Sequence, residues 1–95
     1  MQIEIVGRDF DVDEEVRAQV RRRFDRIGQQ VPEHARLEVV LREEANPSIS
    51  DKYIAEATLR LKKATLHAEE RSPRMLHSIR GVGVKLVPAV EPPPA

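Results

Sequence analysis

The sequence predicts an α+β domain: a four-stranded sheet with two helices packed on one of its faces, in the order β-α-β-β-β-α. Three observations lead there. Four short segments alternate apolar with polar residues, the period of a half-buried strand, and two longer ones repeat apolar residues every three or four positions, the period of an amphipathic helix. Ninety-five residues suffice for one hydrophobic core and not for two. A chain that is 40% hydrophobic and 34% charged, without cysteine, is too apolar for a disordered one and has neither disulfides nor thiolate metal ligands.

In the first segment Ile3 and Ile5 alternate with Gln2 and Glu4, a strand with one buried face. From Val12 the period changes. Val12, Val16, Val20, Phe24 and Ile27 form the core stripe of a first helix, capped by Asp11 or Asp13, favoured at its positive end by Glu14 and Glu15, and stopped at Gly28. Leu37, Val39 and Leu41 make the second strand. The turn-rich run from Glu44 to Asp51 follows, then Tyr53, Ala55, Ala57, Leu59 and Leu61 as the third strand. Lys62-Lys63 forms a hairpin tip, although two-residue turns favour Asn and Gly, and Leu66 with Ala68 makes the fourth strand. Ser72 then Pro73 open the second helix, whose stripe is Met75, Ile79, Val82 and Leu86. Gly81 and Gly83 weaken it and Pro88 ends it. The domain is thus expected over residues 1–87, with 88–95 as a proline-rich disordered tail. The order, apart from its leading strand, resembles that of the double-stranded RNA-binding domain.

Chemistry-bearing patterns are sparse. His34, His67 and His77 fall on a loop, a strand and a helix, without the i, i+4 spacing of a helical zinc pair. Carboxylates adjacent in sequence, such as Glu43–Glu44 and Glu69–Glu70, point apart on a strand or helix. Gly81-Val82-Gly83 lacks the lysine of a phosphate loop, and no serine stands in a nucleophile elbow. The expectation is a non-enzyme with no cofactor, metal or small-molecule substrate. No apolar run reaches the ~20 residues of a membrane span, and Glu4 interrupts any leader-like stretch, so a cytoplasmic protein without membrane contact is expected. An unpaired sheet edge leaves weak homo-oligomerisation open.

Charge placement carries the functional signal. Sixteen basic and sixteen acidic residues cancel, so attraction to a polyanion depends on arrangement. The first helix holds Arg17, Arg21, Arg22, Arg23 and Arg26, and no acid stands three or four positions from Arg23 or Arg26. From Arg71 to Val90 there is no acid at all, while Arg71, Arg74, Arg80 and Lys85 are basic. Two neighbouring helices would then present one cationic strip, and guanidinium forks suit phosphates. With 3% aromatics there is no set of stacking platforms for bases, so structured RNA met through its backbone is the expected target. The RNA-binding residues expected are Arg17, Arg22, Arg23, Arg26, Arg74, Arg80 and Lys85. The other sheet face, with Glu4, Glu38, Arg42, Lys52, Glu56, Arg60, Thr65 and His67, is read as solvated and without a partner.

The opening MQIEIVG, FDRIG in the first helix, VVL in the second strand, TLRLKKATLHA, and the later RML, HSI and KL together resemble the short-form ribosome hibernation promoting factors. Their relatives are ribosome-associated inhibitors once called sigma factor modulation proteins. The resemblance covers residues 1 to about 87 and implies the same β-α-β-β-β-α fold. It further implies a factor that binds small-subunit rRNA in the channel for messenger and transfer RNA and silences translation in stationary phase or stress. Family contacts come largely from basic residues on the two helices, which here correspond to Arg17, Arg23, Arg26 and Lys85. The chain departs from the family pattern at Arg74 and Arg80, which replace acids; at Leu76, which replaces an aromatic; at Lys62-Lys63, which replaces a glycine-rich tip; and at Pro88, where the family helix continues with basic residues. Two other readings accompany this one: a diverged protein-interaction module of the same fold, using the proline tail, and a general double-stranded RNA binder.

Overall fold

A computed structural model describes the backbone of residues 1–90 and the side chains of residues 1–86. Its elements are β1 (Gln2–Arg8), α1 (Glu14–Gln30), β2 (Arg36–Glu43), β3 (Tyr53–Arg60), β4 (Thr65–Ser72) and α2 (Met75–Val90). The strands lie in the order β1-β2-β3-β4. β1 pairs parallel to β2, from Gln2↔Arg36 to Arg8↔Arg42, while β2–β3 and β3–β4 are antiparallel. Parallel neighbours need a crossover, and α1 is that crossover.

The core forms where the helix stripes meet one sheet face. Val16, Val20, Phe24 and Ile27 of α1 and Met75, Ile79, Val82 and Leu86 of α2 pack on Leu37, Val39, Leu41, Ala55, Ala57, Leu59 and Ala68. α2 lies over β3 and β4 and beside α1, and the alanines on those strands leave room for it. Ser78 is the one buried polar side chain among the described residues. Its hydroxyl donates to the Tyr53 carbonyl at 2.6 Å and stands 2.7 Å from Ser72 Oγ. The polar group is therefore satisfied, and it ties α2 to the start of β3.

Several boundaries differ from the sequence reading, each for a local reason. Of the two candidate caps Asp13 is the one used: its Oδ1 accepts from Val16 N at 2.9 Å. α1 does not stop at Gly28, because no described glycine adopts the left-handed conformation of a glycine cap. It ends at Gln30, where Val31 precedes Pro32 and is pushed to extended backbone, φ −115° and ψ 157°. α2 starts at Met75 rather than Pro73. Ser72 is the last residue of β4, although its Oγ still accepts from Arg74 N. Pro88 does not end α2, which runs on to Val90. A proline's φ is a helical one, and what it removes here is the bond to the Val84 carbonyl. Residues 91–95 of the expected tail lie outside the described residues.

The link between β1 and α1 doubles back tightly. Asp9 has φ 53°, the only positive φ among the described non-glycine residues. A Cβ on Gly7 would collide with the Phe10 carbonyl oxygen and lie 2.9 Å from Val12 Cγ2. Phe10 stands edge-on to Tyr53, ring centres 6.2 Å apart, which anchors the link to β3.

The second sheet face is less uniformly solvated than the sequence suggests. Ile54 is fully buried and Val40 nearly so, both on the face without helices. The register sets Arg42 and Arg71 directly across from Ile54 on either side, and arginine stems cover apolar surface well. On the same face Glu56 lies opposite Glu69, and Arg42 reaches both carboxylates at 2.9 and 3.6 Å.

Candidate nucleic-acid interface

The apolar stripe of α1 fixes where its arginines stand. With Val16, Val20, Phe24 and Ile27 inward, Arg22 points away from the core and Arg23 and Arg26 share one flank. That flank meets α2, since a Cβ on Gly83 would lie 3.7 Å from Arg23 Cβ and 3.8 Å from the Arg23 carbonyl. Gly83 thus marks the helix crossing, and Arg80, one turn earlier on α2, is exposed. Arg23 and Arg26 share the flank of α1 that faces this crossing, with Arg22 on the outer surface of α1, while Arg80 lines a hollow on α2 with Glu70, Gly81 and Lys85.

Arg17 falls elsewhere. It is half-buried and one turn before Arg21, which lines a hollow with Met1, Ile3, Asp25 and Gln29 on the β1 side. On α2 the cations divide again. Arg74 sits at the β4–α2 junction, where its backbone N–H donates to Ser72 Oγ. Lys85 turns to β4: its ammonium donates to the Glu69 carbonyl at 2.8 Å and pairs with Glu70 Oε2 at 3.1 Å. The structure therefore separates Arg22, Arg23 and Arg26 from Arg17 on α1, and on α2 sets Arg80 and Lys85 round one hollow with Glu70, with Arg74 at the helix start.

Electrostatically these groups are unequal. Among the described residues Arg17, Arg22, Arg23, Arg74 and Arg80 make no ion pair, whereas Lys85 does and Arg26 has a partner of its own. The absence of acids within α2 concealed the partner of Lys85, because Glu70 comes from the neighbouring strand. The only local signal for it was Gly81: a Cβ there would lie 2.6 Å from Glu70 Cγ. The helix glycines thus have different roles. Gly83→Ala meets only ordinary contacts and should raise stability by about 0.5–1 kcal/mol through helix propensity. Gly81→Ala must displace Glu70 and should gain less than half of that. Urea unfolding of the two variants compares them directly.

Among the described residues no three His, Cys, Asp or Glu side chains stand together to hold a metal ion, and no helix is long and apolar enough to cross a membrane. Exposed guanidinium groups that, among the described residues, have no carboxylate partner suit a phosphate backbone.

Comparison with known proteins gives a consistent result. The family profile described as sigma 54 modulation protein / S30EA ribosomal protein matches residues 3–91. Among solved structures, the N-terminal domain of Thermus thermophilus Protein Y superposes with a TM-score of 0.81 at 21% identity, over 95% of this chain and 96% of that one. A ribosomal subunit interface protein from Coxiella burnetii superposes with a TM-score of 0.77 at 17% identity, over 95% of this chain and 93% of that one. No curated protein sequence matches the chain.

Proposed function

Because the chain belongs to the sigma 54 modulation protein / S30EA ribosomal protein family, we propose that it is a ribosome-associated hibernation factor that silences translation by binding small-subunit rRNA in the channel for messenger and transfer RNA. The observation that carries this reading is that Arg22, Arg23 and Arg80 on the two helices are exposed and, among the described residues, make no ion pair, in a molecule with no net charge. Attraction comes from where the cations stand. The contacts are to phosphates and to the shape of the RNA, the protein acts in the cytoplasm by occupying space, and no bond is made or broken. Arg26 shares the flank of Arg23, while Arg17, Arg74 and Lys85 would contribute at the margins.

The test is co-sedimentation with purified small subunits at rising salt. Binding at low salt should weaken steeply, the logarithm of affinity falling linearly with the logarithm of salt, because each phosphate contact releases condensed counterions. Salt-insensitive association would instead favour the protein-interaction module. Equal affinity for an arbitrary RNA duplex would favour general duplex binding.

A further inference from the structure

Four cations outside the helix layer gather at one end of the sheet. Arg36 and Arg60 are exposed and directly opposite each other in the β2–β3 register. The link from β3 to β4, closed by Leu61 N donating to the Ala64 carbonyl at 2.8 Å, carries exposed Lys62 and Lys63 at its apex. Opposed side chains on one face of an antiparallel pair have Cβ atoms about 4.5–5.5 Å apart, and like charges so placed destabilise the pairing. Further along the same face the mirror problem is solved: Glu56 opposes Glu69, and Arg42 bridges both. Nothing does this for Arg36 and Arg60. Among the described residues neither makes an ion pair, and neither do Lys62 and Lys63. The tip has the same character. Neither lysine adopts the positive φ that the preferred two-residue hairpin turns require, and neither residue type is a good turn former. Both choices work against local stability, and both place charge.

We propose that this sheet end is a second phosphate anchor, in which the Arg36–Arg60 pair and Lys62-Lys63 grip an RNA backbone that supplies the missing counter-charge. It rests on the rRNA-binding reading above and extends it from the helix layer to the sheet. Arg36 and Arg60 lie on the sheet face opposite the helices, and residues 31–35 link the end of α1 to β2 at Arg36, so the anchor stands at the end of the sheet where α1 finishes.

Two measurements test it. In an NMR titration of the wild-type protein with a short A-form RNA duplex of arbitrary sequence, amides of residues 36 and 60–65 shift. In co-sedimentation with small subunits, the fourfold variant Arg36→Gln, Arg60→Gln, Lys62→Gln, Lys63→Gln, checked for folding by circular dichroism, shows a slope of log affinity against log salt shallower by about three. Shifts confined to α1 and α2, or an unchanged slope, overturn the anchor and leave the helix layer standing. If the wild-type protein does not sediment with subunits, the rRNA-binding reading fails, and the duplex titration alone decides the anchor: silence at residues 36 and 60–65 overturns it.

Discussion

Phe24→Ala is expected to remove about 3–5 kcal/mol of folding stability, the largest effect of any single truncation in this chain. Phe24 is fully buried at the centre of the α1 stripe, between Val20 and Ile27, and belongs to the core formed with the sheet. Its ring is the only phenyl group in the core, since Phe10 lies at the β1–α1 link and is half-exposed. Neighbours fixed in strands and helices cannot collapse into the void, so a cavity term adds to the lost transfer energy. A domain of this size has about 5–10 kcal/mol in total, and the thermal midpoint should fall by about 15–30 °C. A loss below about 1 kcal/mol in a urea melt would mean that α1 does not seat its stripe as described.

Arg23→Glu combined with Arg80→Glu is expected to weaken small-subunit binding about 100-fold at moderate salt. Each reversal removes a phosphate contact and adds a repulsion on the helix layer, where among the described residues neither arginine has a carboxylate in an ion pair. Arg42→Gln is the control. That guanidinium is already engaged by Glu56 and Glu69 on the far face of the sheet, so binding should stay within about twofold even if stability drops. Filter binding or sedimentation at two salt concentrations separates the cases. Equal losses from the two sets would reject the helix layer as the contact surface.

The fold was legible because its two periodicities do not overlap. Val16, Val20, Phe24 and Ile27 cannot serve one side of a strand, and Leu37, Val39 and Leu41 cannot serve one side of a helix. What stayed hidden depended on contacts between elements distant in sequence. The ammonium of Lys85 looked free because no acid stands near it in α2, while Glu70 reaches it from β4. Gly81 and Gly83 read as defects until their neighbours, Glu70 and Arg23, were seen. Ile54 is buried on what the alternation marks as the wet face, since the arginines opposite it are invisible without the register. The register also turns Arg36 and Arg60, unremarkable on their own strands, into a facing pair of like charges. Arginines on one helix could be counted from the sequence; their division between flanks follows from how that helix is rolled against its neighbour.

The parallel pairing of β1 has a consequence for the order of assembly during synthesis. Gln2 pairs with Arg36, so the first strand to leave the peptide exit tunnel waits for the whole of α1 and the beginning of β2 before it has anything to bond with. The β2–β3–β4 meander needs only neighbouring segments, whereas β1 must close a long loop. Of the four strands, the one made before the others is thus among the last to find its place.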